Sequence, residues 1–432
     1  MKILLIEAMK RRSFITRIYP PLGLCYLESY LQKYAGFNLE IRVTSSTDSS
    51  MIDRDNPPEI IGISSVTENF TTAIKIGGEI REKLGNKIPV IIGGCHISAL
   101  PRSLPDVFDI GVIGEGEETF LEIVNLFQQK GKLDTIDVAK ISGTAYFDSQ
   151  DRKEKKTVLT STPRKSLEDL DIIPCPKRRL AGYGLTHIVT SRGCPYACIY
   201  CATYLLWGNV RSHSAEYVAR EIEHLYRKEN VREIILFDDN FLADKKRIKQ
   251  ISSLLKKNDI AGKIEFTCFG RTRAINQDVV EDLVKMGVKE IYLGADTVFD
   301  MKIDGTRDEK AFDRNTRAVD ICYEAGMSVN CSFVIGLPRQ TMEDLDDIIK
   351  FVEVNRYKLK AVQISPVNLF PGTPLWEYAV TKGKIKEEIE DWSILENFTH
   401  IDDFSPEKYI YINEMMTPDT FYEYCRRFRE IC

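Results

Sequence analysis

Residues 191–202, SRGCPYACIYCA, place Cys194, Cys198 and Cys201 in a C-x-x-x-C-x-x-C run. Three thiolates at that spacing can converge on one inorganic cluster from a single loop, and thiolates are the ligands that iron–sulfur clusters take. A cubane needs four ligands, so the fourth iron stays open to something other than cysteine. A structural zinc would want four ligands in two pairs, and no second C-x-x-C pair follows. Arg192, Gly193 and Pro195 mark a loop after a strand rather than a periodic apolar core.

Downstream of this loop the chain alternates short apolar runs with amphipathic ones. Strands are expected at 185–190, 232–237, 264–269, 289–294, 328–335 and 361–367, and helices at 214–229, 244–257, 277–286, 308–325 and 341–355. Six such units suit a partial (β/α)6 TIM barrel, whose chemistry gathers at the carboxyl ends of its strands. The polar groups fall there: Asp238, Asp239 and Asn240 after the second strand, Arg271 after the third, Asp296 after the fourth, and Gly336 and Leu337 after the fifth. Asp and Asn also suit strand-to-helix turns, and Asp244 is read as a helix cap. Cys268 and Cys331 are read as small core hydrophobes.

Upstream, residues 3–6, 39–43, 60–64, 89–94 and 110–114 read as buried strands separated by helical patterns at 22–34, 71–84 and 117–128. That alternation predicts an α/β, Rossmann-like doubly wound parallel sheet, with its ligand at the carboxyl ends of the strands. Ser64, Ser65, Val66 and Thr67 follow one strand, Gly93, Gly94, Cys95 and His96 the next, and Gly114, Glu115 and Gly116 the last. Glycines there let backbone approach a bulky ligand, and hydroxyls can bond to its polar periphery. No G-x-G-x-x-G opens the first helix, which disfavours a dinucleotide. The resulting domains are 1–140, a hairpin and linker over 141–182, the barrel over 183–376, and a C-terminal region over 377–432 that closes the barrel and shapes the substrate site, with helices at 377–392 and 418–431.

Bulk properties remove several classes. Lys+Arg 59 against Asp+Glu 64 gives a net charge of −5, so no basic face for nucleic acid is expected. No run of eighteen apolar residues suggests a membrane span. Eleven cysteines without paired spacing suit a reducing cytoplasm.

The cysteine loop, with the aromatic Tyr200 before its last cysteine, resembles that of the radical S-adenosylmethionine (SAM) superfamily. The resemblance implies a 4Fe-4S cluster whose open iron binds SAM, cleavage of SAM to a 5′-deoxyadenosyl radical, and an electron donor such as ferredoxin or flavodoxin. It also implies SAM contacts from Tyr200, from Asp238, Asp239 and Asn240 near the amino group, from Arg271 near the carboxylate or else a substrate anion, from Asp296 near the ribose, and from Gly336 and Leu337 on the adenine side.

The strand ends of the first region, with PPLGL at 20–24, are similar to the cobalamin-binding domain that precedes the radical domain in one subgroup of that superfamily. Cobalamin is then implied at Ser64, Ser65, Val66, Thr67, Gly93, Gly94, Cys95, Gly114, Glu115 and Gly116; Cys95 stands where the subgroup usually has Pro. None of the five histidines has Asp two residues before it, so His96 is expected to be a hydrogen-bonded loop residue and not a cobalt ligand.

Together the two resemblances imply C-methylation of an unactivated carbon, in a small molecule or in a peptide or protein, as in glutamine C-methyltransferases. The alternatives are a radical dehydration, cyclisation or epimerisation on a vestigial cobalamin fold, and a module that only senses SAM or cobalamin.

Overall fold

The computed structural model describes residues 1–9, 19–149, 157–178, 185–296, 310–386, 389, 392–395 and 400–431. Parts of the expected hairpin tip, of the connector up to residue 184 and of the expected 377–392 helix lie outside those residues. The contacts divide the chain into two units, 1–184 with 205–208 and 390–393, and the remainder from Leu185.

The first unit is built on a seven-stranded sheet of order β2-β1-β3-β4-β5-β6-β7. Its strands are β1 (Lys2–Ala8), β2 (Glu40–Ser46), β3 (Ile60–Ser64), β4 (Val90–Gly93), β5 (Ile110–Val112), β6 (Thr144–Phe147) and β7 (Val158–Thr160). The first five run parallel. Ile3 and Leu5 on one face of β1 meet Leu24 and Leu31 of the helix Leu22–Tyr34 and Phe120, Ile123 and Val124 of the helix Gly116–Lys130 in one core cluster. Apolar residues three and four apart on those helices supply the matching stripe.

The five expected strands are parallel, and β6 and β7 of the expected hairpin extend their sheet with an antiparallel edge. The hydroxyl of Thr119, in the first turn of the helix Gly116–Lys130, donates to the carbonyl of Ser142 at 3.0 Å. The chain has therefore returned to the carboxyl ends of the parallel strands before β6 begins, and β6 can only run back down. The order 2-1-3-4-5 puts the topological switch between β1 and β3, where ligands of such sheets sit.

The second unit carries a six-stranded, wholly parallel sheet of order β15-β14-β13-β12-β11-β8. These strands are β8 (His187–Ile188), β11 (Glu233–Leu236), β12 (Glu265–Arg271), β13 (Val288–Gly294), β14 (Ser328–Ile335) and β15 (Leu359–Pro366). Ser214, Asp244, Asn276 and Thr341 each accept a backbone N–H as the cap that starts the helix after a strand or loop. Two more strands, β9 (Ser191–Arg192) and β10 (Arg211–Ser212), form a separate antiparallel ladder.

The expected helix from 377 begins earlier and ends sooner, at Pro374–Thr381. Thr373 caps it, Pro374 occupies its first turn, and Gly383 at φ +66° follows its end. Cys268, Cys322 and Cys331 are 0%, 0% and 1% exposed, so they are core residues. No helix among the described residues is long and apolar enough to cross a membrane.

Candidate functional site

The β9–β10 ladder, with Arg192 opposite Arg211 and Ser191 opposite Ser212, closes the neck of the loop that carries the three cysteines. Gly193 turns the chain at φ +95° and donates its N–H to Oδ2 of Asp239 at 3.3 Å. The amide of Cys201 donates to the carbonyl of Cys198 at 3.0 Å, and the amide of Leu375 donates to Ile199, which ties the loop to the helix Pro374–Thr381. All three thiols are partly buried. Burial pushes the Cys198 thiol up to about 11 and raises that of Cys194, against the opposing pull of the Arg271 guanidinium on both. Among the described residues no three His, Cys, Asp or Glu side chains gather to grip a single ion. A cubane takes each thiolate on a different iron, so its ligands stand around the cluster instead of meeting at one point. Three partly buried thiols beside a fixed cation suit such a group.

A second layer holds this loop in place. The phenol of Tyr200 donates to Oδ2 of Asp296 at 2.6 Å, and Nη2 of Arg271 donates to the same oxygen at 3.0 Å. The amide of Val334 donates to Oδ1 of Asp296 at 3.1 Å. Burial first, and the Asp296 carboxylate next, hold the Tyr200 phenol well above its ordinary range, so it stays a donor. Arg271 also lies over the ring of Tyr196 at 5.0 Å. Asp296→Asn replaces one acceptor oxygen by a donor and sets it against Tyr200 or Arg271. The expected result is a cluster still assembled, by its absorbance, with SAM cleavage slowed roughly 10–100-fold, the usual cost of losing an outer partner.

Several residues expected to meet SAM are committed elsewhere. Asp238, 3% exposed, accepts from the amides of Thr190 and Ser191 at 2.5 and 3.2 Å and from their hydroxyls at 2.5 and 2.7 Å. Arg247 stands 3.5 Å from it, and its lone pairs are filled. Asp238 is thus a structural knot beneath the loop. Asp296 has three of its roughly four acceptor positions occupied, which leaves it short of the two a ribose diol would take. The charge of Arg271 already has Asp296 as its partner. Gly336, at φ +87°, donates its N–H to Gln340 Oε1 at 2.6 Å, and a Cβ there would lie 2.4 Å from the Tyr409 hydroxyl. The carbonyl of Leu337 accepts from Nδ2 of Asn413 at 2.5 Å. Of the backbone groups expected to face adenine, Gln340 thus takes the Gly336 amide and Asn413 of the C-terminal segment takes the Leu337 carbonyl. Asp239 faces the loop itself, accepting from Gly193 and from Thr203 Oγ1 at 2.9 Å. Asn240 is 2% exposed and its Oδ1 has no partner, the one orphaned acceptor of the 238–240 segment.

At the switch end of the first unit, β3 and β4 are pressed together. The amide of Ser65 donates to Gly93 at 3.1 Å, and Gly94 sits at φ +104° with room for no Cβ, which would lie 2.3 Å from the Ser65 carbonyl oxygen. Ser65 is 3% exposed and its Oγ has no partner. A Cβ on Gly114 would meet nothing within 4 Å. Bare backbone, open space and a buried unsatisfied hydroxyl fit a large ring with a polar rim. Val66 is 42% exposed, Ser64 and Cys95 are partly buried, and Gly116 opens the helix Gly116–Lys130.

Two expected contacts turn away. The buried carboxylate of Glu115 accepts from the amide of Leu167 in the connector at 2.7 Å. The hydroxyl of Thr67 stands 3.2 Å from Nδ1 of His96, whose Nε2 is 3.2 Å from Ser103 Oγ. His96 is fully buried, stacked on Phe70 at 3.7 Å with Trp392 edge-on at 4.3 Å. Burial pushes its pKa down to about 3, so the ring is neutral with both nitrogens occupied by hydroxyls.

Sequence reasoning missed the roles of Thr190, Ser191 and Arg247 around Asp238, and of Gln340 and Asn413 around Gly336 and Leu337. Each acts through a partner 47 or more residues away or through a turn of its own.

Comparison with known proteins follows the same division. Residues 188–352 match the radical SAM superfamily, and residues 15–124 match the B12 binding domain. The chain is 29% identical over 405 residues to "Uncharacterized methyltransferase PH0819" of Pyrococcus horikoshii, covering 88% of this chain and 83% of that protein. It is 25% identical over 353 residues to the bacteriochlorophyllide d C-8(2)-methyltransferase of Chlorobaculum tepidum, covering 79% and 72%. It is 25% identical over 356 residues to the anaerobic magnesium-protoporphyrin IX monomethyl ester cyclase of Rubrivivax gelatinosus, covering 77% of this chain and 61% of that one. In fold it is similar to TsrM from Kitasatospora setae, a radical SAM methyltransferase solved with tryptophan substrate and a SAM analog, at TM-score 0.69 and 20% identity over 88% of this chain and 76% of that one. It is also similar to the cobalamin-dependent SAM radical enzyme OxsB with aqua-cobalamin, at TM-score 0.73 and 16% identity over 92% and 64%.

Proposed function

The chain belongs to the cobalamin-binding radical SAM enzymes, and from that premise we propose that it places a methyl group on a carbon of a small organic molecule that has no useful acidity. What supports the reading is the joint presence in one chain of a three-thiol loop, one ligand short of a cubane, and of strand ends bare enough to carry a corrin. When bound, the cluster supplies the electron that cleaves SAM and cobalamin supplies methyl carriage.

The residues of the chain bind and orient. Cys194, Cys198 and Cys201 would hold the cluster, and Tyr200, Asp296 and Arg271 fix their loop. Asn240, with its unsatisfied Oδ1, would accept from the SAM amino group. Ser65, with Gly93, Gly94 and Gly114, would carry the cobalamin, the Ser65 hydroxyl meeting its amide rim. A ferredoxin- or flavodoxin-type donor would deliver the electron. The relatives named above for a substrate act on small molecules, which favours a small molecule over a glutamine side chain of a protein.

One of those relatives is a cyclase, and this favours ring closure as the second reading. Anaerobic enzyme supplied with methyl-deuterated SAM separates the two. The expected result is a product carrying the labelled methyl, with both 5′-deoxyadenosine and S-adenosylhomocysteine formed. Deoxyadenosine together with an unlabelled, rearranged product would replace methylation by the second reading.

A further inference from the structure

We propose that the cluster-facing side of the six-stranded sheet in the second unit is a stacking platform for a flat, uncharged, conjugated ring system. Calling that ring system the substrate rests on the methyl-transfer reading; the platform itself does not.

Side chains alternate across a strand, so the two faces can be told apart. On β12, Phe266, Cys268 and Gly270 are buried on one face, and Thr267, Phe269 and Arg271 are partly exposed on the other. On β13, Ile291 and Leu293 are buried while Tyr292 and Gly294 are not. Arg271 bonds to Tyr200 of the cysteine loop, which identifies the second face as the one toward the cluster. Four rings run across that face from strand to strand. His187 on β8 meets Phe237 at 5.5 Å, Phe237 meets Phe269 at 5.4 Å, and Phe269 lies on Tyr292 at 5.1 Å with the planes only 27° apart. Phe237 is 45% exposed, which a residue filling a closed core would not be. Phe269 lies two residues before Arg271 on the same strand, so the row passes roughly 7 Å from the groups that hold the cluster loop.

Two charges bordering the row are already matched. Arg271 pairs with Asp296 at 3.0 Å on the cluster side, and Glu290 pairs with Lys360 at 2.7 Å on the other, while Asn330 also donates to Glu290 at 2.8 Å. A charged ligand group would find both of those counter-charges taken, whereas an uncharged ring can lie against the aromatic faces and edges of the row. Aromatic rings favour other aromatic rings over saturated skeletons of equal size through their quadrupoles.

The test uses full-length enzyme loaded with cluster and cobalamin and two probes sharing one carbon skeleton and one hydroxyl, 2-naphthol and decahydro-2-naphthol. Equilibrium dialysis under anaerobic conditions is expected to show 2-naphthol bound about tenfold more tightly, the fold-change that one or two stacking contacts supply. Phe237→Leu and Phe269→Leu keep apolar bulk and should each remove most of that preference, with iron and cobalt content as in the wild type. Phe237→Leu, at the exposed position, keeps the test valid should Phe269→Leu fail to assemble. Equal affinity for the two probes, no saturable binding of 2-naphthol, or a preference that survives the replacements would overturn the platform. A labelled product from deuterated SAM alongside any of those results would leave methyl transfer standing and remove the platform alone.

Discussion

Cys198→Ala prevents cluster assembly. After anaerobic reconstitution with iron and sulfide, the variant is expected to lack the brown cubane absorbance and to retain iron at background level, and SAM cleavage falls to that of protein-free controls. The reason is ligand count. The loop provides three thiolates, and removing the middle one leaves two on a cluster that takes a protein sulfur at each of three irons. Cys198 is also the thiol whose pKa burial pushes up to about 11, so its bond to iron must offset the cost of deprotonating it. The control is Cys268→Ala. That thiol is fully buried in the core, and its variant should assemble the cluster in full. Wild-type iron content in Cys198→Ala would contradict the ligand assignment; loss of the cluster in Cys268→Ala would show that the assay reports folding instead.

The contrast between these cysteines also shows what a sequence can disclose. The cluster loop is legible because its ligands lie within eight residues of one another, so spacing alone defines their geometry. Period is equally local: the helices Leu22–Tyr34, Gln277–Met286 and Pro418–Ile431 and the strand Ser328–Ile335 follow the apolar repeat closely. What escaped depends on pairing across the fold. Asp238 follows a strand as a ligand-binding carboxylate would, yet its four acceptor positions are taken by Thr190 and Ser191 on the neighbouring strand's exit. Asp296 points toward the site as expected but is drawn to Tyr200 and Arg271, a choice fixed by register between β12, β13 and the loop. Gly336 follows its strand as expected, but the segment that fills the space around it lies more than seventy residues on, where Tyr409 carries no motif. The antiparallel edge formed by β6 was visible as a hairpin but not as a continuation of the first sheet, since pairing partners are set by where the chain re-enters.

Gly94→Ala should strip the cobalamin from the enzyme while leaving its iron in place. At φ +104° an L side chain is strained whatever the space, by about 1–3 kcal/mol. Here there is no space either, because the added Cβ would lie 2.3 Å from the carbonyl oxygen and 3.0 Å from the nitrogen of Ser65, both of them backbone. Relief requires β3 and β4 to part at the end that would carry the corrin. The disturbance does not stop there: Gly94 accepts from the amide and hydroxyl of Ser98 at 3.1 and 2.8 Å, and Ser98 Oγ in turn accepts from the amide of Gly114 at 2.9 Å. All three strand ends thus move together. Cobalamin retained through gel filtration, measured as cobalt per chain, is expected to fall roughly tenfold or more, the change that 1.4 kcal/mol or greater produces. Iron per chain is expected to stay at the wild-type value, since the three cysteines proposed to hold the cluster belong to the other unit. Gly78→Ala is the matched control. It lies within the helix Phe70–Leu84 with nothing within 4 Å of the added carbon, and a helical alanine there should leave cobalt content unchanged. Gly94→Ala enzyme that keeps its full cobalt would show that the ring is held somewhere other than over Ser65 and Gly94.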